Sequence, residues 1–234
     1  MKVLVAVAHP DDEAFGCGSV LAHARAAGAE TTVVCATRGE LGEVAPGLCH
    51  VPPPPDDLGR IREAELRAAT ALLGVGRVEV LGWRDSGVDG DPAPGSLCAA
   101  RPDDVEAEIA RILGEERPDV VITLDASDGH RDHAVVRDAT IAAAERCEPA
   151  PVVHLWCLPR SLMQAFTGVD HLGTPDEEIT HVVDTSHLLE LRWEAMRAHR
   201  TQVPPYLGMD PALQRAFLCT DRFRQVRGGA GTRI

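Results

Sequence analysis

Short, continuous apolar runs recur along the chain and predict buried strands. The runs cover residues 3–8, 31–37, 78–81 and 120–124. Strands buried on both faces of a parallel sheet have this length and this unbroken apolar character, whereas half-exposed strands alternate apolar and polar residues. We therefore expect a mostly parallel sheet that is covered on both sides. Residues 154–158 and 181–183 are two further strand candidates.

Segments with helical spacing lie between the predicted strands. They cover residues 18–27, 60–73, 105–113, 133–146 and 188–199. The first ends before Gly28 and the second before Gly74, and glycine commonly follows the last residue of a helix. The alternation of strand and helix predicts a right-handed, layered α/β fold. No repeat or linker interrupts the pattern, so we expect a single domain over residues 1–234.

Two long stretches lack any regular pattern. Residues 39–59 contain four consecutive prolines, and residues 84–102 are dense in glycine, proline and aspartate. Because loops of this length are more often functional than idle, we expect both to shape a substrate pocket. The C-terminal tail, from about residue 227 to 234, is rich in glycine and is expected to be frayed.

Composition excludes several classes of partner. The formal net charge is −13 and the pI is near 5.1, so nucleic acids and anionic membranes would be repelled. No stretch offers the roughly 18 uninterrupted apolar residues of a membrane span. The seven cysteines form no CxxC pair, which favours reduced thiols over disulfides or a cysteine metal site. We expect a soluble, cytoplasmic protein that acts on a small molecule.

An acidic cluster follows the first predicted strand. The sequence AHPDDEAFGCG contains His9, Asp11, Asp12 and Glu13. Carboxylates this close raise one another's pKa, so the arrangement is unfavourable unless a cation lies among them. A second cluster, DASDGHRDH at residues 125–133, follows the strand at 120–124. Because the carboxyl ends of parallel strands lie at one edge of a sheet, we expect the two clusters to meet.

Together the clusters can supply a metal site. His9, Asp12 and His133 would give two nitrogens and one oxygen, the set of a catalytic zinc with an open position for water. The metal lowers the pKa of that water toward neutrality. Asp11 is then the candidate general base, and His130 is placed to assist where charge develops. The alternative is a helix N-cap, which explains one aspartate but not two together with the histidines.

The order of short motifs resembles one family. HPDDE, TRGELG, LGWRDSG, DGHRDH and HRTQ follow one another between residues 9 and 202. This series is similar to the zinc-dependent de-N-acetylases related to phosphatidylinositol-glycan class L, also called LmbE-like proteins. The resemblance implies a Rossmann-like, three-layer α/β fold. It implies one zinc per chain, or another divalent ion in its place, held by His9, Asp12 and His133.

The resemblance also implies roles for other residues. Asp11 would be the general base, His130 would stabilise the oxyanion or protonate the leaving amine, and Asp132 would orient a histidine from behind the ligands. Arg62 and Asp85 match positions that hold sugar hydroxyls or the aglycone in relatives.

Simpler roles stay open for several of these residues. Arg62 is spaced to pair with Glu63 or Glu65 on a helix, and Asp85 is able to start a turn. His199 and Gln202, in HRTQ, are compatible with a structural role.

Two positions depart from the family pattern. Arg131 stands where the family often has proline, and we expect it to add a cation at the rim of the site. Asp128 stands where relatives of the mycothiol pathway have a tyrosine. This difference removes the tyrosine assistance and argues against that substrate group.

We therefore predict a zinc-dependent hydrolase that removes an acetyl group from an N-acetylated amino sugar or its conjugate. An amidase acting on a larger amide would use the same site. A non-catalytic, Rossmann-like module that binds a nucleotide or a sugar is the alternative of another class, but the sequence lacks GxGxxG. A metallophosphoesterase would need a basic phosphate clamp that the sequence does not offer. The sequence is compatible with a homo-oligomer.

Overall fold

Seven strands form one sheet in the computed structural model, which describes residues 1–228. The strands are β1 Lys2–Val7, β2 Glu30–Cys35, β3 Arg77–Val80, β4 Val120–Leu124, β5 Val152–Trp156, β6 His181–Asp184 and β7 Thr220–Arg227. Their order across the sheet is β3-β2-β1-β4-β5-β7-β6. The first five are parallel, and β7 is antiparallel to both β5 and β6. The predicted α/β fold with a mostly parallel sheet is confirmed.

Helices cover both faces of this sheet. They are α1 Asp12–Phe15, α2 Gly18–Ala26, α3 Pro55–Leu72, α4 Pro102–Glu116, α5 Arg131–Glu145, α6 Arg160–Thr167, α7 Leu189–Ala198 and α8 Pro211–Leu218. On one face α2 and α3 pack with α7, and on the other α4 packs with α5. In β1 the odd-numbered valines join the first core, and Leu4 and Ala6 join the second. This double burial explains the unbroken apolar run.

Two helices begin earlier than their apolar spacing predicts. Helix α3 starts at Pro55, inside the stretch expected to be irregular, and α4 starts at Pro102. Each proline is followed by two aspartates in the first turn. Proline fits the first helical position, where no N–H donor is needed, and acidic side chains favour the positive end of the helix dipole. The starts of these two helices are therefore indicated by proline and aspartate at their first positions and not by the spacing of apolar residues.

Four of these elements were not covered by the predicted segments: α1, α6, α8 and β7. The strand β7 reads TDRFRQVR, with only Asp221 and Phe223 fully buried. Because most of its residues are polar, no apolar run or alternation marked it as a strand. It pairs with β5 and β6 and extends to Arg227. The expected frayed tail began at that residue, and its last part, 229–234, lies outside the described residues.

The register of the central strands brings the two clusters together. Strands β1 and β4 are hydrogen-bonded neighbours, with Val3 opposite Val120 and Ala6 opposite Thr123. His9 follows the end of β1, and the segment 125–133 follows the end of β4. Both clusters therefore leave the sheet at the same edge. All seven cysteines are free, and no described helix is long and apolar enough to cross a membrane.

One buried histidine should make the fold sensitive to acid. His154, on β5, is fully buried against Phe223 and His181, and neither of its ring nitrogens has a hydrogen-bond partner among the described residues. Burial, with a smaller effect of His181, lowers its pKa from 6.5 to about 4. Between these values the unfolded chain binds the proton more readily, so the free energy of unfolding falls as the pH drops through this window.

We expect His154→Leu to remove this acid-dependent loss, which is on the order of 3 kcal/mol between pH 6.5 and 4. Denaturant titrations of both proteins across this pH range measure it. His171→Leu, at an exposed histidine, is the control and should leave the pH dependence as in the wild type. An unchanged pH dependence in His154→Leu would contradict the prediction.

Candidate metal centre

Asp12 is folded back against the end of β1. Its Oδ2 accepts hydrogen bonds from the backbone N–H groups of Ala8 (3.2 Å) and His9 (2.9 Å). The same carboxylate lies 3.7 Å from Nδ1 of His9 and 3.3 Å from Nε2 of His133. One acid of HPDDE therefore contacts both histidines that sequence analysis assigned to the metal.

Each of these histidines has a second carboxylate behind it. Nε2 of His9 lies 3.1 Å from Asp132, and Nδ1 of His133 lies 2.7 Å from Asp128. Histidines that bind metals commonly use their other nitrogen in this way, which fixes the ring and makes it a better ligand. The nitrogens left over, Nδ1 of His9 and Nε2 of His133, are those that face Asp12.

A third imidazole completes the cluster. The ring of His130 lies 4.6 Å from that of His9 and 4.7 Å from that of His133, between ring centroids. Two groups of potential ligand atoms lie within 4.8 Å of one another: His9 with His130 and His133, and His9 with Asp85 and Asp132. The ligand set His9, Asp12 and His133 stays a prediction.

The charge of the cluster fits a divalent cation. Burial alone would lower the pKa of His9, but the neighbouring carboxylates of Asp12 and Asp132 raise it to about 9. Burial alone would raise the pKa of Asp12, but the neighbouring His133 and His9 hold it well below its usual value. The carboxylates thus attract positive charge to the two rings, and a metal ion would take the place of those protons. Nitrogen and carboxylate donors together suit zinc among the available ions.

Asp11 has an unusual backbone conformation beside this cluster. Its φ is 125°, and its N–H donates to Oε2 of Glu13 at 2.9 Å. Its carboxylate accepts from Nη2 of Arg62 at 2.9 Å. Burial raises the pKa of Asp11 to about 6, and Arg62 opposes this shift.

Arg62 is buried and fixes the chain around Asp11. It donates to the carbonyls of Pro10 (2.5 Å) and Gly39 (2.6 Å) as well as to Asp11. The alternative that it pairs with a glutamate of its own helix is wrong, because Glu63 binds Arg38 and Arg67 while Glu65 binds Thr201.

Asp85 lies at the edge of the same cluster. It is buried 3.7 Å from Nε2 of His9, and its carboxylate accepts from the N–H groups of Gly87 (2.8 Å) and Leu41 (3.3 Å). The bond to Gly87 is the turn that sequence reasoning allowed, so Asp85 both shapes its loop and faces the site.

Arg131 is not a free cation at the rim, and that expectation is wrong. Its guanidinium donates to four backbone carbonyls of one loop: Ser86, Gly87 at 2.7 Å, Asp89 at 3.1 Å and Gly90 at 2.6 Å. The side chain therefore holds the loop that carries Asp85. Because most of its N–H donors already bind these four carbonyls, the guanidinium has few donors available for a ligand.

An open cavity of about 490 Å³ gives access to the cluster. His9, Asp11, Asp12, Arg62, Asp85, His130 and His133 all line it. Both irregular stretches contribute to its wall, through Leu41, Gly42 and Glu43 on one side and Gly87 and Val88 on the other. The volume falls within the range of small-molecule sites.

Several residues of the site were missed by sequence reasoning. Asp128 had been treated only as a departure from the family, yet it supports His133. Cys98 donates to Asp132 at 3.0 Å, and Glu40 accepts from the N–H of Asp85 at 3.2 Å. Asp128 lies five positions before His133, in the turn that leads into α5, so its closeness to His133 in the sequence was a usable signal. Cys98 and Glu40 come from the irregular loops and gave none.

Comparison with known proteins places these motifs in context. The family model described as PIG-L, GlcNAc-PI de-N-acetylase, matches residues 4–144. A 1D-myo-inositol 2-acetamido-2-deoxy-alpha-D-glucopyranoside deacetylase of Kineococcus radiotolerans is 33% identical, and the alignment covers 98% of this chain and 78% of that protein.

Solved structures share the fold at lower identity. The N,N'-diacetylchitobiose deacetylase of Pyrococcus horikoshii superimposes with a TM-score of 0.72 at 22% identity, over 96% of this chain and 83% of that one. The 4-carboxy-2-hydroxymuconate hydratase GalB of Pseudomonas putida gives 0.70 at 17% identity, over 100% and 99%. Similarity at this level concerns the fold alone, and the two proteins are named for different reactions.

The backbone at Asp11 generates a stability prediction. Asp11→Gly and Asp11→Ala both remove the carboxylate that Arg62 binds and differ only in Cβ. Because a φ of 125° is open to glycine but strained for alanine, we expect the glycine variant to be more stable by about 1 kcal/mol. Denaturant unfolding of the two variants measures the difference.

Asp138, exposed within α5, provides a control with the opposite sign. In that helical position alanine should be more stable than glycine by about 1 kcal/mol. Equal stability of the two variants at position 11 would mean that its backbone is not strained.

Proposed function

Since the chain belongs to the PIG-L family, we propose that it is a metal-dependent hydrolase that removes an acetyl group from an N-acetylated amino sugar or its conjugate, releasing acetate and a free amine. One observation carries the proposal: two carboxylate-backed histidines face Asp12 beside a partly buried base in an open cavity. This is also the function predicted from the sequence, and the relatives' names support it.

His9, Asp12 and His133 are the residues we propose to hold one zinc ion per chain, or another divalent ion in its place. When bound, such an ion supplies a water of lowered pKa and polarises the acetyl carbonyl. Asp132 and Asp128 fix the two rings. Because each ring then has only one nitrogen free, the orientation of both ligands is set before the ion arrives.

Asp11 is the proposed general base. Its carboxylate accepts the proton of the attacking water, and Arg62 keeps it in place at 2.9 Å. General bases act best when their pKa lies near the working pH, and burial raises the pKa of Asp11 to about 6. Arg62 therefore orients the carboxylate and offsets part of the effect of burial.

We propose that His130 stabilises the substrate oxygen or protonates the leaving amine. Its Nδ1 accepts from the backbone N–H of Asp132 at 3.3 Å, so the proton of the neutral ring is on Nε2. An Nε2–H group on the cavity wall is able to donate to the oxygen on which negative charge develops and then to the amine.

Arg62 and Asp85 are the proposed substrate contacts, and the amino sugar is the proposed ligand. Asp85 is the better placed of the two, because it lines the cavity 3.7 Å from His9. Several relatives are named for acetamido-glucopyranosyl inositol, which makes that compound the first substrate to test, even though Asp128 stands where relatives of the mycothiol pathway have a tyrosine. An amidase acting on a larger amide would release an acid other than acetate.

Metal content and acetate release should be lost together in His133→Ala. We expect about one zinc per wild-type chain by elemental analysis, and acetate from the inositol compound or from a panel of N-acetylglucosaminides. Loss of a ligand should cost more than the roughly 10- to 100-fold in affinity or activity that is usual for a residue behind a ligand, so we expect both the zinc content and the acetate release to fall. His171→Ala, at an exposed histidine, should retain both. A wild-type protein that binds no divalent metal would overturn the proposal.

Asp128→Asn should weaken metal binding without removing a ligand. The amide cannot accept from Nδ1 of His133 with the strength of a carboxylate, and losses of 10- to 100-fold in affinity are usual for such partners. Competition with a zinc chelator measures the dissociation constant. Asp138→Asn, on the exposed side of α5, the helix that carries His133, is the control and should match the wild type. An unchanged affinity in Asp128→Asn would exclude this role.

A further inference from the structure

Two buried ionisable residues close to the site have no part in the chemistry described so far. Glu13 is the last residue of HPDDE, and His199 is the first of HRTQ. Their side chains are 0% exposed, and Nε2 of His199 lies 2.6 Å from Oε1 of Glu13. The two residues are 186 positions apart in the chain, so the contact joins α1 to the end of α7.

The other oxygen of Glu13 reaches the proposed base. Its Oε2 accepts the N–H of Asp11 at 2.9 Å, while Oε1 is occupied by His199. Asp11 has a φ of 125°, which a residue other than glycine rarely adopts without support. Glu13 is therefore the group that holds the strained peptide, and His199 is the group that holds Glu13.

The rest of HRTQ reinforces the second support of Asp11. Thr201 donates to Glu65 from its N–H (2.9 Å) and from its hydroxyl (2.6 Å). Glu65 lies on α3, three residues after Arg62, which binds the carboxylate of Asp11. HRTQ therefore contacts Glu13, which binds the backbone of Asp11. It also contacts Glu65, which lies one helical turn after the arginine that binds the carboxylate of Asp11.

Stability alone is a poor reason for such a pair. A buried ion pair must overcome the desolvation of both groups, and apolar residues of similar volume often replace one at no loss of stability. The position of the pair, directly behind a strained residue, points to orientation as its function.

We propose that the Glu13–His199 pair is a positioning device, which holds Asp11 in its left-handed backbone conformation and so aims its carboxylate at the reacting water. The inference rests on the proposed role of Asp11 as the base. Neither Glu13 nor His199 lines the cavity, so we expect them to act through Asp11 alone.

The test compares two substitutions of His199 in two backgrounds. His199→Leu removes the donor to Glu13, whereas His199→Gln places an amide N–H where Nε2 was. Because small displacements of a catalytic group cost up to about a hundredfold in rate, we expect His199→Leu to lower kcat by roughly 10- to 100-fold, with KM and zinc content near those of the wild type. His199→Gln should restore most of kcat.

The Asp11→Asn background separates positioning from general damage. If His199 acts through Asp11, His199→Leu should change the residual kcat of Asp11→Asn by less than about twofold. Equal decreases in both backgrounds would overturn the proposal. His154→Leu, at another fully buried histidine, is the matched control and should leave kcat unchanged. If His199→Leu does not fold, Glu13→Gln/His199→Leu takes its place, because it leaves no buried charge without a partner.

Hydrogen exchange gives a readout that needs no turnover. In the zinc-loaded protein, the amide of Asp11 should exchange at least about tenfold faster in His199→Leu than in the wild type or His199→Gln. Unchanged exchange would overturn the positioning role even if activity fell. If the wild-type protein releases no acid from any amide, the proposed function fails, and this exchange measurement still decides whether the pair holds the backbone of Asp11.

Discussion

The whole site depends on how negative charge is distributed at the carboxyl ends of β1 and β4. Asp11, Asp12, Asp85, Asp128 and Asp132 all lie there, mostly shielded from water. Three of them are bound from distant parts of the chain: Asp11 by Arg62 of α3, and Asp85 and Asp132 by backbone N–H groups of the two irregular loops. Asp12 and Asp128 are bound by donors within five positions of themselves. Asp12 differs from the other four, because both His9 and His133 face its carboxylate. A cation fits at this point.

Sequence reasoning recovered the parts of the molecule that local patterns encode. Strands β1, β2 and β4 were visible because both faces are buried, and the metal and base candidates were visible because HPDDE and HRDH are compact motifs. The family and the fold class are confirmed. The strand β7 was missed because its residues are mostly polar, and Cys98 and Glu13–His199 because their contacts join segments far apart in the chain. Arg131 was misjudged, since its acceptors are backbone carbonyls that sequence does not show.

The fold itself does not select the reaction. A hydratase and a deacetylase share this architecture at similar TM-scores, which is expected when a common scaffold carries different sites. What distinguishes this chain lies in side chains and loops at one edge of the sheet. The Arg131 contacts are an example, because one side chain fixes four carbonyls of a glycine-rich loop and so gives the cavity a wall that is formed before any ligand arrives.

The pairing of β1 with β4 has a consequence for dynamics. The two halves of the site are attached to adjacent central strands, and central strands of a sheet generally open only when the entire molecule unfolds. His9 and His133 therefore cannot separate through fraying at an edge or the loss of a peripheral helix. Exchange of a bound ion must proceed through motions of side chains and cavity loops, on a timescale independent of the global unfolding rate.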